Sequence, residues 1–386
     1  MIKGIKLENG KGYKYDDVDF TYIKGGAIYA YNNAEDNLMT LMIDNCKIVN
    51  NTLTADPSGS FNCFGGGVFI KGHLNSNNGV RIRVTNCIIS DNEIATSDNE
   101  FCYCLGGGIY CDCLAANSLI KSNLIENNIA EDLGGGMILL NSESVTVDSN
   151  QFYCNLTMRY RDYNASAFYA GEFDDSEGSL TFTNNIIAQN DNNPSLPDGS
   201  HKDAVVMIDI PEIAVINNTI AKNKCQNGHA IIIGSDSYQD PQQVYVYFYN
   251  NIIHKNLIYQ NDYQLAFISV NDAEVHVWRN KNQLHNDSYG NMGNYVYIEE
   301  HQNNENYPEV YFVEEHYSAH NFNFHLTNQS PCVDRGADIY MLGYYLGSLT
   351  VLETGWDIDG DNRPLEGNNV YPIGYDMGAD EHIFEE

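Results

Sequence analysis

Basic side chains are scarce in this chain, so the places where they gather are where chemistry is sought first. Arg159, Arg161 and Asp162 fall in one interval between apolar segments, and His201, Lys202 and Asp203 fall in the next. If both intervals are loops on one edge of the molecule, their cations meet over a groove. Such a groove would neutralise a sugar carboxylate, and a Lys, Arg, Tyr or His base would remove the proton at C5 of a uronate. The acidic run Glu172, Asp174, Asp175 and Glu177 would offer calcium ligands nearby. Solvated loop charges are the plainer reading of the same residues. Asp357, Asp359 and Asp361 alternate as in the start of a calcium loop, but Asn368 occupies the twelfth position, which excludes an EF-hand. A structural turn and a calcium site both remain open there. A glycosidase would need paired carboxylates at a defined separation, and no such pair stands out.

These residues have to be positioned by some scaffold, and composition narrows which. The 386 residues carry 52 acidic and 20 basic side chains, a formal charge of −32. Nucleic acid and anionic membranes, which call for a basic surface, are poor partners for it. With 43% hydrophobic and 12% aromatic residues the chain has material for a core, so acidic disorder is not the explanation. About 50 asparagines, 32 glycines and 28 tyrosines favour turns and strands over helices. No run of about 20 apolar residues offers a membrane span, and the opening residues lack the apolar core of a signal peptide.

A repeat supplies the scaffold. A small-residue step leads into apolar residues at Gly25-Gly26-Ala27-Ile28, Gly65-Gly66-Gly67-Val68, Gly106-Gly107-Gly108-Ile109 and Gly134-Gly135-Gly136-Met137, and it decays at Ser166, Ala204 and Gly228. An alternating strand follows, such as Val80 to Asn86 or Val244 to Asn250, and then a short apolar strand closed by asparagine. The closing residues are Asn51, Asn92, Asn128, Asn155, Asn190, Asn223 and Asn256, spaced by 41, 36, 27, 35, 33 and 33. Period-2 alternation, β-branched residues and glycine clusters argue against helical repeats of similar length. The pattern predicts an all-β fold, a parallel β-helix with three strands per coil, whose coils stack about 4.8 Å apart.

Stacking predicts an internal ladder through Asn123, Asn150, Asn185, Asn218 and Asn251, with Cys46 and Cys87 holding the same position in two earlier coils. The ladder asparagines are expected at the turn itself, in the left-handed conformation. Aligned cysteines in neighbouring coils fall within the roughly 4.4 to 6.8 Å disulfide window, so Cys46–Cys87 and Cys63–Cys104 are either disulfides or buried thiols. Cys102, Cys104, Cys111 and Cys113 also form a C-x-C-x6-C-x-C pattern. Its gaps are shorter than those usual for structural zinc.

The expected organisation is a partial coil over 1–24, seven repeats over 25–256, irregular coils over 257–330 and a C-terminal cap over 331–386. The last part carries Ser330-Pro331-Cys332-Val333-Asp334-Arg335-Gly336, Asp357 to Pro364, and Ile373-Gly374-Tyr375-Asp376-Met377-Gly378-Ala379. With the preceding repeats, this ordered series resembles right-handed, single-stranded parallel β-helix proteins of the pectate-lyase-like superfamily, more narrowly the bacterial choice-of-anchor surface proteins. The short repeats are also similar to those of chlamydial polymorphic outer-membrane proteins. The resemblance implies an extracellular or cell-surface rod and makes the Asp357 segment a turn packed on that rod. Gly228-His229-Ala230 matches only one of the polygalacturonase motifs and sits in the glycine column, which counts against that family. The anchor tail usual after the last motif does not follow before Glu386, and the first residues read as mid-coil. A fragment or processed chain, or association through coil ends, is therefore expected. Function is expected to be adhesion, glycan binding or assembly without catalysis. A uronate lyase and an end-to-end filament subunit are the alternatives.

Overall fold

The computed structural model describes residues 1–16, 21–34, 37–54, 61–73, 79–95, 103–158, 163–171, 178–192, 202–225, 229–235, 243–258, 265–269, 274–280, 282–284, 289–292, 296–300, 310, 312–314, 323–333, 335–336, 357–359 and 376–379. All regular elements among them are strands. The chain passes through four sheets in a fixed order. Val68–Lys71, Val80–Thr85, Ile88–Ser90 and Glu93–Ala95 make one coil, and Ile109–Asp112, Ser118–Lys121, Leu124–Glu126 and Ile129–Ala130 make the next. Each strand pairs in parallel with its counterpart in the adjoining coil. These stacked parallel sheets have the arrangement of a parallel β-helix. The four are called here the glycine-step sheet (nine strands), the long sheet (ten), the asparagine sheet (nine) and the short sheet (seven).

Where three strands per coil were expected, the described residues form four recurring strands, and the early coils add another, Phe61–Phe64 or Tyr103–Leu105, ahead of the glycine corner. The fourth recurring strand follows the closing asparagine and is two or three residues long, as in Thr52–Thr54, Leu156–Thr157 and Lys224–Cys225. A segment that short cannot display period-2 alternation, so the sequence pattern does not reveal it.

The inward residues of successive strands form one apolar cluster extending from Ile28 to Val277, with Ile70, Ile82, Ile89, Phe152, Phe182 and Phe248 fully buried within it. Each such side chain contributes about 1.5 to 3 kcal/mol by leaving water. Glycine sets the corner into the glycine-step sheet. Gly106 has a φ of +74°, which turns the chain sharply out of Tyr103–Leu105. A Cβ on Gly108 would lie 2.5 Å from the Gly136 carbonyl oxygen and 3.1 Å from the Asn128 carboxamide. Where the glycines fade the corner fades with them. The corresponding strands lengthen to Tyr163–Gly171 and Lys202–Asp209, and their register shifts between Ala165 and Phe168.

Two asparagine ladders run through the coils. In the expected one, Asn123, Asn150, Asn185, Asn218 and Asn251 each donate Nδ2 to the next Oδ1 at 2.9 to 3.1 Å, and Asn282 extends the series. The closing asparagines form a second, from Asn51 through Asn256, at 2.8 to 3.0 Å. Each Nδ2 also reaches a strand carbonyl, as Asn185 reaches Val147 at 3.0 Å. Each Oδ1 also accepts a backbone N–H, as Asn185 accepts that of Asn150 at 2.9 Å. The left-handed conformation is not taken by the ladder asparagines, as expected above, but by the residue before each. Those residues are Asn45, Asn86, Ser122, Ser149, Asn184, Asn217 and Asn250 in the first series, and Asn50, Asp91, Asn127, Cys154, Gln189, Lys222 and Lys255 in the second. One residue makes the turn so that the next can point inward.

Residues 1–24 supply strands Ile2–Lys3 and Lys6–Glu8 to the long and asparagine sheets. They then form an antiparallel hairpin, Tyr13–Asp16 against Thr21–Lys24, at the edge of a four-stranded sheet. Described parts of the C-terminal region pack on the outside of the asparagine sheet. Val310, Phe312, Phe324, Leu326, Cys332, Val333, Met377 and Ala379 form a cluster with the outward residues Ile186, Ala188, Ala221 and Ile252. Gly378 donates its N–H to the Asn250 carbonyl at 2.6 Å, and Ala379 donates to Thr219 Oγ1 at 3.1 Å.

Two outcomes follow from these contacts. Asn185→Ala removes two donors and an acceptor from the core and is expected to cost about 3 kcal/mol, whereas Ser122→Gly at a left-handed corner leaves stability unchanged or raises it by up to about 1 kcal/mol. Chemical denaturation with hydrogen exchange at the flanking coils reads both, and equal losses would contradict the division of roles. Gly378→Val meets a φ of +97° and places Cβ 2.7 Å from Ile252 Cδ1 and from Thr219 Oγ1. Exchange is expected to rise at residues 376–379, with new binding of an apolar dye, while the ladders stay protected.

Candidate functional site

The sequence-derived candidates divide according to what the structure describes. Arg159, Arg161, Asp162, His201 and the acidic residues at 172, 174, 175 and 177 lie outside the described residues. Lys202 and Asp203 were expected in a loop, but their backbone begins the strand Lys202–Asp209, where they are register partners of Tyr163 and Asn164. The reason is the lost glycine corner, which lets the strand run on backward past Ala204. His229 starts the strand His229–Ser235 opposite Ala204 and is buried.

Asp357 is buried, and its Oδ1 accepts the Asp359 N–H at 3.0 Å, while Ile358 donates its N–H to the Ala379 carbonyl at 3.0 Å. Asp359 pairs with His325 Nδ1 at 3.1 Å, and Asp361 lies outside the described residues. This is a side-chain-closed turn packed on the C-terminal cluster. Among the described residues no three His, Cys, Asp or Glu side chains converge closely enough to hold a metal ion. Nor is any helix among them long and apolar enough to cross a membrane.

Both cysteine alignments are realised. Cys63 and Cys104 are register partners, and the Cys46 N–H reaches Cys87 Sγ at 3.4 Å. All four are thiols in this structure and all are buried. Burial pushes the Cys87 thiol up to about 11. The hydrogen bond with Cys63, followed by burial, holds Cys104 well above the ordinary thiol range. Cys102 lies outside the described residues.

Outward charges in the first coils are largely taken up by the stack itself. Asp44 accepts from Lys3 at 2.6 Å, Thr85 at 2.9 Å and Asn86 at 3.1 Å, and the Lys3 bond foremost brings its carboxyl down to about 2. The same arrangement recurs at Asp148 with Lys121, Thr183 and Asn184. Asp112, buried on the glycine-step sheet, holds Lys71 and accepts from Asn141 at 3.0 Å.

Two ring clusters were not singled out by sequence reasoning. In the first, Lys24 Nζ lies 4.8 to 5.5 Å from the centroids of Tyr15, Tyr22, Phe64 and Phe69, and donates to Tyr15 Oη at 3.1 Å. Tyr29, Phe69 and Tyr110 stack beside it with centroids 5.3 Å apart and planes within 6°. Four ring faces favour the ammonium, while burial, and next the Lys71 charge, draw the Lys24 amine down to about 8. The second cluster is on the outer face of the long sheet. Tyr245 and His276 stack at 5.6 Å and 23°, and His276 and Tyr297 at 5.2 Å and 20°. In the sequence Tyr245, Tyr247 and Tyr249 stand as alternating tyrosines that could stack on sugar rings or pack as ordinary strand residues, and the signal that His276 and Tyr297 line up with Tyr245 is the register, which the sequence does not state.

The Lys24 amine yields a pH dependence with a definite sign. Between about 8 and the ordinary lysine value of 10.5, the unfolded chain binds the proton that the folded chain has lost, so stability rises with pH in that window. Thermal unfolding at pH 7.5 and 9.5 is expected to show this gain in the native chain and to lose it in Lys24→Met. Parallel curves for the two proteins would sink the assignment.

No family model, curated protein or solved structure matches the chain.

Proposed function

We propose that this chain is an extracellular, right-handed parallel β-helix of the pectate-lyase-like kind, akin to the choice-of-anchor surface proteins, and that it works as a non-catalytic display rod for adhesion, glycan binding or assembly. The observation that carries this reading is where the buried polar groups go. The carboxamides of both ladders bond to the neighbouring coil and to strand carbonyls. The outward carboxylates of Asp44, Asp112 and Asp148 are likewise engaged by lysine and amide neighbours. Polar groups organised in this way hold a frame in place, and what the frame presents is its outer surface. The net charge of −32 works in the same direction, since an acidic shaft repels polyuronates.

The competing reading, a lyase acting on uronate glycans, makes the opposite prediction in a simple assay. Incubated with pectate, alginate or glycosaminoglycans in the presence of calcium, the protein is expected to generate no absorbance from unsaturated uronate ends. Product that forms with the native chain and vanishes in Lys202→Ala or Arg161→Ala would replace the display reading with the lyase.

A further inference from the structure

The outer face of the long sheet changes character along the stack. One outward column runs Ser144, Ser179, Glu212, Tyr245, His276, Tyr297 through successive register pairs. Its neighbour runs Thr146, Thr181, Ala214, Tyr247. Hydroxyl and methyl groups, with the carboxylate of Glu212, thus give way to rings from residue 243 onward. The apolar core does not require this, because the inward residues of the same strands, Val244, Val246, Val275 and Val277, are buried regardless.

The rings are arranged for contact rather than for burial. Their centroid spacings of 5.6 and 5.2 Å exceed the strand spacing of about 4.8 Å. At these spacings the stacked rings are offset from one another, and 30% of the His276 side chain and 48% of Tyr297 are exposed. Polar groups flank the stack. Tyr245 Oη donates to Gln243 Oε1 at 2.5 Å, Gln243 Nε2 donates to Glu274 Oε2 at 3.2 Å, and Glu274 lies 3.4 Å from His276 Nε2.

A line of offset rings edged by amide and carboxylate oxygens suits a ligand that has apolar C–H faces and hydroxyl edges. It suits a negatively charged ligand badly: Glu212 and Glu274 flank the rings on this face, and the strands Gln243–Tyr249, Glu274–Asn280 and Val296–Glu300 contain no lysine. The sole arginine among them, Arg279, is buried. We propose that the face centred on Tyr245, His276 and Tyr297 binds a neutral pyranose polysaccharide laid along the stack, one sugar ring to each coil. The inference rests on the display reading and gives that display its ligand class.

Retention of the full chain on insoluble neutral polysaccharides, with pectate and alginate gels as the acidic comparison, tests it. Tyr245→Ser and His276→Ser give the column the hydroxyl it already carries at Ser144 and Ser179, so the strands tolerate them, and unchanged thermal unfolding checks that they do. The native chain is expected to bind at least one neutral polysaccharide, to stay bound at high salt, and to lose affinity at least tenfold in the double variant. Equal retention of the variant, preference for the acidic gels, or no retention of the native chain would each overturn the proposal while leaving a display rod without this ligand. Turnover in the uronate assay is the separate result that would remove the display reading itself.

Discussion

Everything in this fold depends on a carboxamide having two donors and two acceptor positions, and on a stacked coil offering a partner for each. An inward-facing asparagine would otherwise be costly, since every unsatisfied group buried with it loses about 1 to 3 kcal/mol. Here Asn185 gives one N–H to Val147 and the other to Asn218, and its oxygen accepts from Asn150 twice. The same arithmetic closes for the second ladder. Because the partners come from adjoining coils, the ladders fix the coil spacing and the register at two corners. The strands between them need only be apolar on the inner side.

The columns of this arrangement were legible in the sequence, and the roles within them less so. Asn50-Asn51, Asn127-Asn128, Asn184-Asn185, Asn217-Asn218 and Asn250-Asn251 are identical pairs, which hides which member turns and which points inward. Ser122-Asn123, Ser149-Asn150, Gln189-Asn190 and Lys222-Asn223 point to the second member as the inward one, while Asn45-Cys46 and Asn86-Cys87, which keep asparagine at the turn and sulfur inside, point the other way. The fourth strand stayed hidden because two residues carry no period. The docking of the C-terminal cluster is also hidden, since the covered outward residues Ile186 and Ile252 share a column with Ile88 and Leu124, which lie outside that cluster.

The candidate sites were harder to read for a related reason. Loop cations are conspicuous in composition, but whether Lys202 sits in a loop depends on a glycine missing two residues later, at Ala204. The ring clusters join residues from strands about 30 residues apart, or, around Lys24, from a hairpin and two later coils. Alternation shows that Tyr245 and Tyr247 face outward. Only pairing shows that His276 and Tyr297 lie in line with Tyr245.

The first ladder is not made of one material. Toward the N-terminal side the carboxamides give way to sulfur at Cys87 and Cys46, where the backbone N–H of Cys46 meets a thiol at 3.4 Å instead of an amide oxygen near 2.9 Å. Sulfur is a weak acceptor and a weak donor, so the seam there is softer than the seam through the later coils. Under tension along its axis such a shaft has a grain: in the coils of Cys46 and Cys87 one amide ladder, through Asn51 and Asn92, carries the load that two ladders share in the later coils.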